Sequence, residues 1–301
     1  MNIFVAGATG AIGRPLIKEL IRQGHMVTGL CHSDASAQVL AGLGARVARA
    51  SALDAMAVEQ ALRTARAEVV IDQLTSLPKN PADLAQAQAG DYELRIEGGG
   101  NLLRAAQACG VRRYLQQSSG FFLQAAAGLA DESAPLAVDA SPGVAFSSRS
   151  YAQLEARLAA APIEGVALRY GFFYGPGTWY SVEGGCGDLA RRQKIAIIGS
   201  GNGVWSWVHI DDAAQATVAA LTAPVGTYNV VDDDPSAVSI WLPAFARAVG
   251  APEPPQMSEE RARQQLGEDA VFYGTRLCGA SNAKARSVLG FVPRRLEWLS
   301  T

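Results

Sequence analysis

The sequence is poor in cysteine, with four in 301 residues and no Cys-x-x-Cys pair. Cys31, Cys109, Cys186 and Cys278 are far apart, which argues against a disulfide framework or a zinc site and favours reduced thiols. The first residues also lack the basic segment and the apolar stretch of a signal peptide. We therefore expect a cytoplasmic location.

An excess of one charge and long hydrophobic runs are also missing. Lysine and arginine number 26 against 28 aspartates and glutamates, for a formal net charge of -2, which gives no reason to expect nucleic acid as a partner. No run of about 18 apolar residues occurs, so we expect no membrane span. The hydrophobic fraction of 49% is enough to build a full core.

Short apolar runs alternate with longer helix-like stretches from the first residue onward. The pattern predicts buried strands at 3–6, 26–31, 46–49, 68–72, 113–117 and 165–169, and helices at 12–23, 35–43, 55–65, 84–109 and 148–160. Repeated strand–helix–strand units predict a Rossmann-type, doubly wound parallel sheet of the α/β class.

The rhythm changes after about residue 170, where glycines and aromatic residues become denser. This change predicts a smaller C-terminal α+β substrate cap. We expect a dinucleotide-binding Rossmann domain at 1–170 and a mainly substrate-binding cap at 171–301, with segments near 205–222 returning to the sheet. The segment 124–148, rich in Ala, Ser and Pro, is expected to be a mobile loop near the site.

A glycine-rich turn follows the first predicted strand and reads Gly7-Ala8-Thr9-Gly10-Ala11-Ile12-Gly13. Gly7 permits a tight turn, Gly10 leaves room for a pyrophosphate, and Gly13 lets the helix pack close to the strand. The free N–H groups of the helix N-terminus favour phosphate there. The turn predicts a dinucleotide site that includes Gly7, Thr9, Gly10, Ala11, Ile12 and Gly13; the alternative is an ordinary glycine turn.

The end of the second strand bears on the choice of cofactor. An NAD site usually has Asp or Glu there to bind the ribose hydroxyls, but here the strand ends in Leu30-Cys31-His32-Ser33, with no acid until Asp34. His32 and Ser33, with Arg14, are instead suited to a 2′-phosphate. We expect NADP in preference to NAD; the alternative is that His32 merely belongs to a turn.

Five segments together resemble one family. The chain is similar to the extended or atypical short-chain dehydrogenases/reductases, the NAD-dependent epimerase/dehydratase family. The resemblance rests on the glycine turn, on 97–119, on Leu168-Arg169-Tyr170-Gly171-Phe172-Phe173-Tyr174-Gly175-Pro176-Gly177, on 208–214 and on 281–293.

The resemblance implies roles for several residues. Ser51, where the family commonly has Asp, would lie by the adenine, and Ser119 matches the family's catalytic serine or threonine. After the fourth strand, the ribose would be lined by Gln73, Leu74 and Thr75. In the fifth strand, the residues that would close over the nicotinamide are Gln117 and Ser118. After the sixth strand, the nicotinamide and the mouth of the substrate site would be flanked by Tyr170, Gly171, Phe172 and Phe173.

The chain departs from this family in its proton relay. The family uses Tyr-x-x-x-Lys, in which the lysine lowers the pKa of the tyrosine and holds the ribose. Here Tyr151 is followed four residues later by Glu155, which would raise the pKa of a phenol. In a second register, which we favour, Tyr151 takes the lysine position and Ser147 the tyrosine position, while Arg95 stands at the family's helix-four Asn position. The catalytic candidates are therefore Ser119, Tyr151 and Ser147.

Other groups of residues carry weaker predictions. The run with His209, Asp211 and Asp212 lies where Asp would cap a helix, and we expect no metal site. The triplet 232–234 is expected to be a solvated turn. Trp179 and Trp205 are expected substrate contacts in an apolar cleft at the strand ends.

Two functions compete on these observations. The first is an NAD(P)-dependent oxidoreductase or epimerase/dehydratase-like enzyme that acts on a small carbonyl or hydroxyl substrate with an altered relay. The alternative, motivated by the missing pair, is a non-catalytic dinucleotide-binding redox sensor or regulatory protein. In either case we expect a monomer or homodimer, and for the enzyme a small molecule as the partner.

Overall fold

The structure is a computed structural model that describes residues 1–299. Within that range the strands are β1 (Asn2–Ala6), β2 (Met26–Cys31), β3 (Arg46–Arg49), β4 (Val69–Asp72), β5 (Arg113–Ser119), β6 (Glu164–Tyr170), β7 (Phe172–Tyr174), β8 (Ile197–Ile198), β9 (Val204–Trp205), β10 (Trp207–His209), β11 (Gly226–Val230), β12 (Ser236–Ala237) and β13 (Gln256–Met257).

The α-helices of the same range are α1 (Gly13–Arg22), α2 (Asp34–Gly42), α3 (Ala55–Ala65), α4 (Leu84–Glu93), α5 (Gly99–Ala108), α6 (Pro142–Ala160), α7 (Gly185–Arg191), α8 (Ile210–Ala219), α9 (Val238–Ala248), α10 (Glu259–Leu266), α11 (Glu268–Thr275) and α12 (Ala283–Leu289). Short 3₁₀ turns lie at Pro81–Asp83 and Glu297–Leu299, and a π-helical turn lies at Leu94–Gly98. None of the described helices combines the length and apolarity needed to cross a membrane.

Seven parallel strands form the main sheet, in the order β11-β6-β5-β4-β1-β2-β3. The chain runs outward from β1 to β3, then returns to the other side of β1 at β4. The strand order therefore reverses between β1 and β4, where ligands bind beyond the carboxyl ends of such sheets. The predicted Rossmann-type α/β fold is confirmed.

The sheet is buried on both faces because its strands are continuous apolar runs. One face packs on α1 and α8, and its core includes Leu16, Ile17, Val208 and Val230. The other face packs on α3 and α5. Residues after 205 thus contribute a strand, a helix and part of the core to the half of the molecule that contains the main sheet.

A separate aromatic core lies beyond the carboxyl end of the sheet. It joins 121–154 to segments of the C-terminal third, and its large rings include Trp205, Trp207, Trp241 and Trp298. Three small two-stranded sheets organise this region, of which β12 with β9 is antiparallel, whereas β10 with β7 and β13 with β8 are parallel.

Two predicted elements differ from the structure. The single helix expected at 84–109 is interrupted by the π-turn at Leu94–Gly98, next to three consecutive glycines that weaken helical preference. The loop expected at 124–148 ends earlier, because α6 begins at Pro142. Proline suits a first helical position, and Asp269 of α11 accepts hydrogen bonds from the Gly143 and Val144 amides.

Candidate dinucleotide and active site

The glycine turn between β1 and α1 lies at the point where the strand order reverses. Gly7 has a φ of +73°, which favours glycine, and a Cβ there would lie 2.1 Å from the carbonyl oxygen of Gln73. A Cβ on Gly13 would lie 2.4 Å from the Gly7 oxygen. The protein itself therefore requires glycine at these two positions.

Gly10 differs, because the protein leaves space beside it. It is exposed, and a Cβ there would meet only the Gly7 oxygen, at 3.3 Å. Among the described residues, the backbone amides of Thr9, Ala11 and Ile12 donate to no protein acceptor. A bare glycine flanked by free N–H groups at a helix start forms a cradle that fits a pyrophosphate.

The expected adenosine-binding residues lie at the ends of β2 and β3. His32 is exposed, whereas the Ser33 hydroxyl caps α2 by accepting from the Ser36 amide at 3.2 Å. The Asp34 carboxylate is paired with Arg49. Ser51 is exposed, and its hydroxyl accepts from the Leu53 amide. His32 therefore has the least committed side chain of this group.

Tyr170 and Gln73 support the floor of the cleft instead of lining it. Tyr170 is 1% exposed, and its hydroxyl joins Gln73 Nε2 at 3.1 Å and Thr217 at 2.7 Å. Burial raises the pKa of Tyr170. These hydrogen bonds join β4, β6 and α8, and the expected contact of the two residues with the cofactor stays a prediction. Leu74 and Thr75, which follow Gln73, remain half-buried at the cleft.

Glu155 is committed to a buried ion pair. Its carboxylate accepts two hydrogen bonds from Arg169, at 2.8 and 2.7 Å, and a third from the Ser118 hydroxyl. Ser118 is thereby directed at α6 and is buried, so its hydroxyl is used by the protein itself, and its expected place over the nicotinamide stays a prediction. Gln117, its neighbour in β5, is half-buried. Glu155 does not hydrogen-bond to Tyr151, which is oriented by a different residue.

Arg95 is the partner of Tyr151. Its Nη1 donates to the Tyr151 hydroxyl, and its Nε donates to Asp91 at 2.7 Å. Asp91 in turn accepts from the Ser76 amide at 2.6 Å, in the loop after β4. Burial raises the pKa of Tyr151, the Arg95 charge lowers it in part, and Asp91 raises it. The predicted effect of Glu155 on this phenol is therefore wrong.

The remaining hydroxyl candidates lack a base. Ser147 lies one turn before Tyr151 on the same face of α6 and is half-buried. Ser119 is buried, and its Oγ accepts from the Phe121 amide at 3.4 Å. In the described part of the chain, neither hydroxyl bonds to a carboxylate, histidine or lysine. Neither serine is therefore prepared to act as an acid or base.

A stack of aromatic rings forms a wall beyond β5 and β6. Phe172 stacks on Phe121 at 4.1 Å and on Trp205 at 4.0 Å between ring centroids. Tyr273 of α11 lies 5.8 Å from Trp205 and is half-buried, as are Phe121 and Phe172. Trp205 itself is 8% exposed, and its indole N–H is bound by the Tyr273 carbonyl. The exposed surface of the wall therefore belongs mainly to Phe121, Phe172 and Tyr273.

The other expected contacts lie around this wall. Trp179 is half-buried, and its indole donates to the Pro78 carbonyl at 2.8 Å. Gly171 is buried with the Ser206 backbone against it, and Phe173 packs on the core that contains Tyr170. The role of Phe121 and Tyr273 was missed in the sequence. The two phenylalanines that follow Ser119 and Gly120 were a visible signal in the sequence, but the position of α11 beside them was not.

The acidic residues after β10 and β11 are structural. His209, not an aspartate, is the N-cap of α8, with its Nδ1 accepting from the Asp211 amide. Asp212 binds the guanidinium of Arg294. The solvated turn expected at 232–234 is correct for Asp233, which is exposed, but wrong for Asp232, which is 2% exposed. Within residues 1–299 no three His, Cys, Asp or Glu side chains are grouped to hold a metal ion.

A groove of about 660 Å³ lies at the opposite end of the sheet, between α1 and α8. Met1, His25 and Gln215 are among its lining residues. Since it is at the amino ends of the strands, it is not part of the dinucleotide site.

A family model matches residues 3–231 and is described as the NAD dependent epimerase/dehydratase family. A Streptomyces sp. protein named 3-diazoavenalumate denitrifying reductase is 42% identical over 302 residues, which cover 99% of this chain and 98% of that protein. The UDP-glucose 4-epimerase of Mycolicibacterium smegmatis is 27% identical over 318 residues, with 98% and 94% coverage.

Solved structures share the fold. The UDP-glucose 4-epimerase of Thermus thermophilus, in complex with NAD, superposes with a TM-score of 0.75 at 24% identity, covering 98% of this chain and 94% of that one. The dTDP-glucose 4,6-dehydratase DesIV of Streptomyces venezuelae has a TM-score of 0.74 at 18% identity, with 98% and 93% coverage.

Proposed function

Because this chain belongs to the NAD-dependent epimerase/dehydratase family, we propose that it is a reductase that replaces the nitrogen of an aromatic diazo compound with hydrogen. The chain is an enzyme of the NAD-dependent oxidoreductase kind, as is characteristic of its family, so the enzyme prediction is confirmed over the sensor alternative. The diazo substrate class is the finer step, and it starts from the name of the Streptomyces relative.

One observation carries the proposal: in the described part of the site, no hydroxyl has a lysine, a histidine or an unpaired carboxylate beside it with which to exchange a proton. Tyr151 is buried with its hydroxyl held by Arg95, and its pKa is raised. Ser119 and Ser147 have no base, and Glu155 is neutralised by Arg169. A reduction that needs general acid catalysis would lose about two to four orders of magnitude in rate without such a group. A substrate that needs no proton avoids this loss.

A diazonium carbon has that property. Bound NAD(P)H would supply hydride to this carbon, so that the C–N bond breaks with its electron pair leaving in N₂, the nicotinamide is oxidised, and charge balances without a proton. The residues of this chain would hold and orient the reactants and exclude water.

The aromatic wall suits such a substrate. The half-buried rings of Phe121, Phe172 and Tyr273 offer apolar faces for a flat molecule. Aromatic faces also attract cations, by about 0.5–2 kcal/mol each, and a diazonium group is cationic. Trp205 supports the wall from behind and fixes the position of Tyr273 through its indole hydrogen bond.

Isotope labelling tests the proposal directly. The purified protein is mixed with a hydroxy-substituted arenediazonium salt and NADPH that carries deuterium at the transferred position. We expect N₂ release and deuterium in the arene, above a control without protein, and no solvent deuterium when unlabelled NADPH is used in D₂O. Turnover of a panel of carbonyl compounds or of UDP-glucose, with none of the diazonium salt, would refute the substrate class.

Variants of the serines provide a second arm. Since Ser119 and Ser147 have no proton to deliver in this reaction, Ser119→Ala and Ser147→Ala should each reduce kcat less than about tenfold. A loss of about a hundredfold or more in kcat in either variant would show that the serine does take part in a proton relay.

We further propose NADP in preference to NAD. The support is the lack of an acid at the end of β2, the exposed side chains of His32 and Arg14, and the pairing of Asp34 with Arg49. Calorimetry with both reduced cofactors measures the preference. His32→Asp should shift it toward NADH by about tenfold or more, and a wild-type protein that binds NADH more tightly would contradict it.

Compartment and assembly remain proposals. The described thiols of Cys31, Cys109, Cys186 and Cys278 are all unpaired, which supports a reducing compartment such as the cytoplasm. For the oligomeric state we propose a monomer or a dimer through the helices near 92–109 and 148–160. Light scattering on the purified protein measures its mass.

A further inference from the structure

We propose that Arg95 binds a hydroxyl group of the nicotinamide ribose and thereby fixes the nicotinamide half of the cofactor. This inference rests on the proposed use of a nicotinamide dinucleotide, but not on the diazo substrate. Arg95 is a positioning residue here, since it acts on the cofactor away from the reacting carbon.

The π-turn at Leu94–Gly98 places Arg95 in the interior between three elements. Arg95 is 9% exposed, yet it lies against the ends of β4 and β5 and against α6. The strands β4 and β5 lie on the opposite side of the crossover from β2 and β3, where the adenosine half is expected. Arg95 is thus on the side of the sheet that would receive the nicotinamide half.

The guanidinium is fixed on two sides and open on the third. Nε is bound by Asp91, and Nη1 is bound by the Tyr151 hydroxyl. Within residues 1–299 Nη2 has no protein acceptor, and it is not among the polar atoms that are both buried and unpartnered. One donor of a rigidly held side chain therefore remains available to a ligand.

A small cavity accompanies this free donor. It measures about 10 Å³ and is lined by Asp72, Leu74, Arg95, Gln116, Gln117 and Leu154. The Gln116 side chain is 2% exposed, and in the described chain neither its oxygen nor its nitrogen has a partner. Buried amides are normally hydrogen-bonded, so the Gln116 side chain offers both a donor and an acceptor to a hydroxyl group of a ligand.

The local charge favours a neutral hydroxyl over an anion. The Asp91 carboxylate lies 2.7 Å from Arg95 and already balances its charge. A ligand carboxylate or phosphate at Arg95 would therefore be repelled by Asp91 and would gain little from the arginine. A ribose hydroxyl can both accept from Arg95 and donate to an oxygen such as that of Gln116. Asp72, also at the cavity, has its pKa raised by burial, and its carboxyl already binds Tyr114 and the Leu74 amide.

Binding measurements on two ligands test the proposal without reference to catalysis. NADPH contains the nicotinamide ribose, whereas 2′,5′-ADP contains only the adenosine half. By calorimetry, Arg95→Met should raise the Kd for NADPH about tenfold, equivalent to ~1.4 kcal/mol, and leave the Kd for 2′,5′-ADP within about twofold. Arg104→Met, at an exposed arginine of α5 that binds Asn101, should change neither Kd.

Two results would overturn the assignment: an unchanged NADPH Kd, or equal weakening of both ligands, which would indicate a merely structural role. If Arg95→Met does not fold, Arg95→Lys tests the proposal instead. Lysine keeps the positive charge but loses the several N–H donors of the guanidinium. We expect it to weaken NADPH selectively by about two- to fivefold, and wild-type affinity would contradict the proposal. Failure of the diazonium assay leaves these Kd values untouched, so the two proposals fail separately.

Discussion

At the scale of single residues, residues of the same type in this site have different structural roles. Gly7 and Gly13 are required by the protein's own backbone, whereas Gly10 faces open space. Glu155 and Asp91 are both acids near α6, but Glu155 neutralises Arg169 and Asp91 orients Arg95. Sequence motifs mark such positions without distinguishing these roles, because the difference lies in what surrounds each residue.

Gly10→Val should abolish dinucleotide binding while the protein stays folded. A Cβ at this position has only the Gly7 oxygen near it, at 3.3 Å, so the cost to folding is small, whereas the branched side chain fills the cradle. We expect the Kd for NADPH to rise about a hundredfold or more, or ~2.8 kcal/mol. Calorimetry measures it, with circular dichroism to monitor folding.

The matched control is Gly90→Val, at a helical glycine with no atom within 4 Å of the added Cβ. It should leave stability unchanged or slightly higher, because valine has a higher helical preference than glycine, and it should leave NADPH binding intact. Wild-type affinity in Gly10→Val would disprove the pyrophosphate site.

Asp232 should make the stability of the protein fall as pH rises. Burial raises its pKa from about 3.8 to about 8, so between these values the folded chain keeps a proton that the unfolded chain has released. Its contribution is complete below pH ~4 and is lost progressively up to pH ~8, by an amount on the order of 5 kcal/mol.

Asp232→Asn should remove this dependence, since the amide keeps the shape and the acceptor for the Asp234 amide. We expect its melting temperature to exceed that of the wild type near pH 8 and to converge with it at about pH 4 and below. Asp188→Asn, at an exposed carboxylate, is the control. Parallel melting curves for Asp232→Asn and the wild type would show that Asp232 is not protonated.

At the scale of elements, α6 depends on a residue from a distant part of the chain. Its own N-cap, Ser141, makes no side-chain capping bond, whereas Asp269 of α11 accepts from the Gly143 and Val144 amides at 3.0 and 3.3 Å. Tyr273 lies one turn further along the same face of α11, next to the aromatic wall. This contact therefore joins the start of α6 to the expected substrate pocket.

Asp269→Ala should weaken both structure and substrate binding. Loss of the cap costs about 0.5–2 kcal/mol, and the macrodipole of α6 loses its negative partner. We expect a lower unfolding midpoint in urea and a KM for substrate raised more than the Kd for NADPH.

Glu268→Ala removes the neighbouring carboxylate, which pairs with Arg263 at the surface, and should change little. An unaltered midpoint in Asp269→Ala would show that α6 does not need this cap.

At the scale of the whole molecule, the dinucleotide-binding half is not a continuous stretch of chain. β11 completes the main sheet beside β6, and α8 covers the apolar face of α1. Ala285 and Phe291, from the C-terminal segment, join the same core. The fragment 1–170 would leave Leu16 and Leu20 without this cover.

We therefore expect the fragment 1–170 to lack a cooperative thermal transition and to aggregate, whereas the full chain melts cooperatively. Each large apolar side chain left uncovered costs about 1.5–3 kcal/mol, which exceeds the reserve of a domain of this size when several are exposed. Circular dichroism and size-exclusion chromatography report the outcome. A monomeric fragment with a sharp transition would establish 1–170 as an independent domain.

The sequence alone determined the sheet, the glycine turn and the family, because these depend on local patterns: continuous apolar runs, glycines at fixed spacing, and motifs in a fixed order. Only the tertiary structure decided how the side chains at the strand ends are used. Tyr170 turned out to be a buried support, Ser118 and Glu155 part of an ion pair, and Arg95 the partner of Tyr151. These partners are separated by 14 to 97 positions in the chain. Such contacts depend on the π-turn and on the packing of α6 against the sheet, which no short sequence pattern specifies.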